Sequence, residues 1–548
     1  MGKFIILIIC ITCIVLIGVL ILGASGYTGF RLWQKEWIPQ GETDLRFTEI
    51  PVNFTHQADL ENSLPFMAAA AVDINSDGKD EIFVGGGKGQ ADAILQFDGS
   101  AFVNIAGQFN LSKGTNDATL GAASLDLAND GYPDLLVARE SGVWLHMNDG
   151  TSFTSQNLNL PLAENTTPLS IAIGDVNRDG WADFYVSGYL KKELVEGETI
   201  FSDGYGGFSQ LYLNNGDNSW RDVSLEAGVW RQHNTFTAVF TDLDNDGDSD
   251  LVIAQDTGLI EMYENPLNET GSPFPFRPIS NPSVSSYPMG VAAGDFDNDD
   301  DIDLFFSNVG YTLPPPLLRG DLPDDAPFNP EYLLFQNNDA LSFFDISKAS
   351  NTSRLGFGWG VVFADMDLDG HEDLMAAQNY ARFPAKQILQ KYPAKIMLYS
   401  PADKKFHPVE KVAGAKNKHY GISPIISDFN QDGFPDLFWA NLGEAPLAYL
   451  SQGTGNNWIK VKLPNTTPSL NAIVRVETSD GRNLMKQVMT SQGLGSDQTR
   501  ELIFGIGPAN GATSVSVIYQ DGSSIQHGEL NASETLQLSN RAQDELDN

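Results

Sequence analysis

Asp242, Asp244, Asp246 and Asp250 occupy positions 1, 3, 5 and 9 of a loop within TDLDNDGDSDLVIA (residues 241–254), and Gly247 stands at position 6. Carboxylates this close repel one another. At alternate positions of a tight turn, however, their oxygens can converge on one point, and Gly lets the turn close. Hard oxygen donors at this spacing suit Ca²⁺. An EF-hand loop would carry Glu at position 12 and enter a helix. Here position 12 is Ile253, and LVIA reads as a buried strand. The loop therefore closes on the carboxylate at position 9 and feeds a sheet.

The pattern occurs seven times, with first aspartates at 73, 126, 175, 242, 295, 365 and 428. Loops five and six repeat the full set, as Asp295, Asp297, Asp299, Asp303 and as Asp365, Asp367, Asp369, Asp373. Asp300 replaces the Gly of loop five. Loops one, three and seven put Asn at position 3: Asp73, Asn75, Asp77, Glu81; Asp175, Asn177, Asp179, Asp183; and Asp428, Asn430, Asp432, Asp436. Asn keeps an oxygen but loses a charge, so weaker binding is expected there. Loop two has Ala128 at position 3, leaving Asp126, Asp130 and Asp134, and is expected to be weakest. The expected cofactor is Ca²⁺ in up to seven structural sites; no catalytic residue is assigned.

The elements that must hold these loops repeat with them. A short apolar stretch precedes each loop, such as TAVF before Asp242, and an apolar strand follows. Strand–turn–strand segments come next: LYLNNGDNSWRDVS (211–224), YLLFQNNDALSFFDIS (332–347) and IMLYSPADKKFHPVE (396–410). Four strands per unit at steps of 49 to 70 residues is the pattern of propeller blades. The fold class is therefore all-β: a seven-bladed β-propeller over residues 44–455. DLRFTEIPV (44–52) is expected to complete the last blade.

GWGVVFADMDLDGHEDLMAAQN (358–379) resembles the FG-GAP/VCBS repeats of integrin α-chain propellers. NNWIKVKLPN (456–465), LIFGIG (502–507) and VSVIYQDGSS (515–524) resemble elements of the ASPIC/UnbV domain that follows such repeats in the cartilage acidic protein family. The resemblance implies a small C-terminal β domain over 456–540, ahead of an acidic tail at 541–548. Tyr519 and Gln520 stand where that family has Trp and Pro, and its Gly-Ala near 473–476 is missing.

Residues 4–22 form an unbroken apolar run of 19, long enough to span a bilayer. Two readings stand: a single-pass anchor in segment 1–25, or a signal segment cleaved near GAS (23–25), which would leave the protein secreted. A linker is expected over 26–43. Extracellular modules bind Ca²⁺ at concentrations found outside the cytosol, so the propeller is expected outside the cytoplasm, periplasmic or at the cell surface. Both cysteines, Cys10 and Cys13, lie in the apolar run, so no disulfide staples the rest. The net charge of −38 comes in part from 24 loop carboxylates, and it argues against nucleic acid as a partner.

The long insertions, at 187–210, 308–332 and 377–395, fall between second and third strands, opposite the metal loops. Aromatics there (Tyr189, Tyr205, Tyr311, Tyr380, Phe383) and on neighbouring loops (Trp230, Tyr287, Trp359, Tyr420) either contact a ligand or plug the central channel. Residues 381–418 hold nine basic and two acidic side chains, a local contrast that either attracts an anionic partner or neutralises neighbouring blades. The leading functional reading is an adhesion or binding module for an extracellular protein or glycan. The alternative is a carbohydrate-active, polysaccharide-lyase-like enzyme, with His233, His419, Tyr380 and Arg382 as its only acid–base candidates.

Overall fold

The computed structural model describes residues 38–539 apart from 112, 196–199, 203, 313–314, 339–340 and 381–390. The apolar run 4–22, most of the linker, Arg382, Phe383 and the acidic tail lie outside the described residues. Among the described residues, no helix is long and apolar enough to cross a membrane.

The chain is all-β. The described residues form seven sheets with a four-stranded antiparallel core, each beginning with the strand that precedes an acidic loop. The second sheet is typical: Thr119–Leu125, Asp134–Arg139, Gly142–Asn148 and Phe153–Asn157. Its first three strands are almost wholly buried, whereas the fourth is exposed beyond Phe153. That gradient explains the composition. Strands covered on both faces must be apolar throughout, so TLGAASL and DLLVAR carry no period-two alternation.

Each first strand contacts the first strand of the next sheet, and that of the seventh sheet, Gly421–Ser427, contacts that of the first, Ala69–Val72. Small residues make the approach possible. A Cβ on Gly121 would meet Leu169 O at 2.3 Å, and one on Gly360 would meet Ile422 O at 2.7 Å. Separate apolar cores fill the wedges between sheets. Between the second and third, Leu125, Leu136 and Leu145 pack with Ile171, Ile173 and Phe184, each side chain contributing roughly 1.5–3 kcal/mol by burial. The seventh sheet takes its fourth strand from the start of the chain: Phe47–Ile50 pairs antiparallel with Leu447–Ser451.

Beyond residue 456 the chain forms a second β unit. One sheet joins Glu501–Gly507, Asn457–Lys462 and Glu534–Gln537; the other joins Asn483–Gln487, Ile473–Thr478, Gly511–Ile518 and Ser524–His527. Ile459, Val461, Val474, Phe504 and Val517 fill its core. The two units, expected as separate, are joined: Ser496–Asp497 pairs in parallel with Ala69–Val72 of the first sheet.

Candidate metal centres

The acidic loops all connect first to second strands. In all seven, the position 1 aspartate accepts two backbone N–H groups of its own turn. Asp242 takes those of Asp246 (3.1 Å) and Gly247 (2.9 Å), and Asp295 those of Asp299 (3.0 Å) and Asp300 (3.1 Å). Asp73, Asp126, Asp175, Asp365 and Asp428 do the same. The turn needs left-handed backbone at position 6, where Asp300 has φ of 72°, and also at position 4, from Arg178 at 52° to Leu368 at 60°.

The position 9 carboxylate is a clip. One oxygen of Asp250 accepts from Leu243 N of its own loop (3.0 Å) and the other from Asn265 N just past the third strand (2.8 Å). Asp134, Asp183, Asp373 and Asp436 repeat this arrangement. These five loops are thereby tied to their own sheets by charge-assisted bonds.

Loops four, five and six bring carboxylate oxygens within 4.8 Å of one another: Asp242, Asp244 and Asp246; Asp295, Asp297, Asp299 and Asp303; Asp365, Asp367 and Asp373. Asp250 and Asp369 stand outside these groups; Asp369 Oδ1 accepts from His371 N (2.9 Å). Burial, reinforced by the neighbouring carboxylates, pushes Asp242 up to about 7 and Asp295 up to about 8. The same causes hold Asp303 and Asp373 well above the usual carboxylate range. Asp244 Oδ1, Asp297 Oδ1 and Asp303 Oδ2 are buried without a hydrogen-bond partner among the described residues. Orphaned oxygens in an all-oxygen group fit a hard divalent cation such as Ca²⁺.

The other loops differ. Asn75 donates Nδ2 to Glu81, Asn177 to Asp179 and Asn430 to Asp432. The amide at position 3 thus supplies a donor that the all-Asp loops lack. In loop two, Asp134 Oδ2 accepts from both Leu127 N (2.9 Å) and Ala128 N (3.3 Å).

The C-terminal unit covers this face, which sequence reasoning missed. Residues 487–500 run between the first strands. Thr490 Oγ1 donates to Ile173 O (2.9 Å), Gly493 N to Val291 O (2.9 Å), and Gly495 O accepts from Ala69 N (3.3 Å). All six Lys and Arg residues of 456–540 reach the ring of sheets. Lys462 Nζ donates to Gly78 O (2.7 Å), Arg482 Nη1 to Asp369 O (2.8 Å) and Arg500 Nη2 to Ser124 O (3.0 Å). Arg475 lies 3.6 Å from Asp300, Lys486 pairs with Glu372, and Lys460 pairs with Asp428. Gln520, one of the departures from the family pattern, donates to Ser249 Oγ (2.6 Å).

On the opposite face Phe66 packs against Tyr189, Phe236 and Trp359, and Trp359 against Tyr420. Phe66, Phe236, Trp359 and Tyr420 are buried, and so is Tyr380, beside Phe357. His419 pairs with Glu444, whereas His233 lines an open groove of about 470 Å³ with Phe201, Arg231, Gln255, Leu259 and Glu261. Within the basic stretch, Lys395 is buried against Glu410 (3.2 Å).

An FG-GAP-like repeat model matches residues 73–137, 126–186 and 242–306, and an ASPIC and UnbV model matches 463–545. Cartilage acidic protein 1 of Homo sapiens is 25% identical over 265 residues, 45% of this chain and 38% of the relative. Its Xenopus tropicalis counterpart is 25% identical over 359 residues, 59% of this chain and 51% of the relative. The chain thus spans about two-fifths to one half of the curated relatives it matches. Among solved structures, rhamnogalacturonan lyase YesW aligns with a TM-score of 0.37 at 12% identity, covering 75% of this chain and 74% of that one. The chain therefore carries FG-GAP-like repeats followed by an ASPIC and UnbV region, and resembles cartilage acidic protein 1 in sequence.

Proposed function

We propose that the protein is a Ca²⁺-stabilised seven-bladed β-propeller that acts outside the cytoplasm as a binding or adhesion module for a protein or glycan. In this reading residues 4–22 hold it at a membrane. The seven sheets are the blades, and Phe47–Ile50 closes the ring by completing the last one. The observation that carries the metal assignment is the convergence of carboxylates in loops four to six, with buried oxygens that have no donor in loops four and five. Ca²⁺ there would neutralise the carboxylates and pin first to second strands. Its role is structural, since these side chains fill the loop and hold it shut.

The C-terminal unit occupies the metal-loop face, so the ligand face is the opposite one. There the long loops between second and third strands leave the groove lined by Arg231, His233 and Glu261, with Leu259 half exposed. Charged groups beside exposed apolar surface suit a sugar or a protein loop. The test is a glycan array and a pull-down against extracellular matrix fractions, with Arg231→Ala and Leu259→Ser compared with the parent. Loss of binding in both variants supports this face. Appearance of unsaturated sugar products, read by ultraviolet absorbance, would instead establish the lyase alternative.

A further inference from the structure

We propose that the seventh loop takes no divalent ion, because Lys460 of the C-terminal unit supplies its cation permanently. This rests on the metal reading of loops four to six and departs from the expectation that loop seven binds the ion, only more weakly than its all-Asp neighbours.

Lys460 lies on Asn457–Lys462, the central strand of its sheet, between Glu501–Gly507 and Glu534–Gln537. Alternation along that strand aims its side chain at the ring of sheets. The ammonium bonds Asp428 Oδ2 and stands 3.2 Å from Glu501. The Lys460 side chain is 2% exposed and that of Asp428 is 0% exposed. Asp428 is position 1 of loop seven, a position that takes part in all three converging carboxylate groups of loops four to six.

The rest of the loop is already satisfied. Asp428 Oδ1 accepts from Asp432 N (3.0 Å), and Oδ2 also takes Gly433 N (2.7 Å). Asp432 accepts from Phe434 N (3.0 Å) and Asn430 Nδ2 (2.8 Å), and Asp436 from Phe429 N (3.0 Å) and Ser451 N (2.8 Å). All six carboxylate oxygens of loop seven therefore have protein donors. Loop five is the contrast, with Asp297 Oδ1 and Asp303 Oδ2 both orphaned. Loop six differs in its bonding: Asp365 accepts the neutral Gly505 N–H at 3.1 Å, and the nearby ammonium of Lys486 pairs with Glu372 and not with the loop carboxylates. An ion set against Asp428 would face a full positive charge a few ångströms away, with little solvent to screen it. The buried ammonium thus does for loop seven what the metal does for its neighbours, and it holds the C-terminal unit to the ring without calcium.

The test is anomalous diffraction from crystals of the full chain grown in millimolar Ca²⁺, paired with metal analysis of the dialysed protein in solution. Peaks in loops four to six with none among Asp428, Asp432 and Asp436 are expected. Density coordinated by those three aspartates in the parent protein would overturn the proposal, and no density in any loop would overturn the metal reading itself. Lys460→Met, which keeps the apolar stem, is expected to bind one more Ca²⁺ per chain. A folded Lys460→Met protein with unchanged stoichiometry would also overturn it. If that variant does not fold, the parent diffraction data decide the question alone.

Discussion

Asp303 illustrates how one carboxylate serves two masters: Oδ1 holds Asn337 N at 2.8 Å and Oδ2 faces the loop unpaired. Asp303→Asn keeps the shape but removes a charge and brings an N–H₂ toward the cage. Titration calorimetry is expected to show the loop five site weakened about tenfold or more, because charge count tunes such sites. The raised carboxyls also set a pH response. Asp242 and Asp295 titrate near 7 and 8 in the metal-free fold, against 3.8 for an ordinary Asp, so the folded state holds more protons between those values. Stability in chelator should therefore fall as pH rises from about 4 to about 8. Calorimetry at pH 5 and pH 8 in chelator, with the higher melting temperature at pH 5, checks the sign. Positions 1, 3, 5, 6 and 9 were legible because side-chain chemistry marks them. Position 4 was legible only in part: Asn129, Asn245 and Asn298 suit its left-handed backbone, but Arg178, Leu368 and Gln431 carry no such signal. Lys460 was not legible, since its role exists only where the C-terminal unit meets the seventh loop.

At the scale of elements, the turn of loop seven is wedged beneath the C-terminal unit. Gly433 has φ of 89°, and a Cβ there would lie 1.8 Å from the ring of Trp458. Gly433→Ala combines left-handed strain of roughly 1–2 kcal/mol with overpacking of about 1–3 kcal/mol. A melting temperature lowered by several degrees is expected, together with easier proteolytic release of the C-terminal unit. A second element test concerns the segment that threads the ring. Asp497 is fully buried, pairs with Arg500 (2.9 Å) and accepts from Ser124 N (2.8 Å). Asp497→Ala leaves Arg500 uncompensated and should cost about 3–5 kcal/mol by chemical denaturation. Strands beside the acidic loops could be read from their apolar runs. The buried path of TSQGLGSDQT (490–499) could not, since small polar residues look like an exposed loop. Here the backbone of the first strands satisfies them in place of water.

For the molecule as a whole, the metal reading predicts a lower melting temperature and faster proteolysis in excess chelator, with recovery on adding Ca²⁺ back; identical melting curves in both conditions would remove the structural role of the ion. The repetition of similar sheets was foreseeable from the count and spacing of the loops, whereas the docking of the second unit depends on surfaces far apart in sequence. One further consequence comes from the pairing of Phe47–Ile50 with Leu447–Ser451. During synthesis on the ribosome the earlier strand emerges first and has no native mate until about 400 residues later. At ~5–20 residues per second that delay lasts roughly 20–80 s. Throughout it, a nascent chain with an unpaired strand edge is open to the wrong neighbour, so the yield of correctly closed protein should depend on how quickly translation finishes and on what shelters that edge meanwhile.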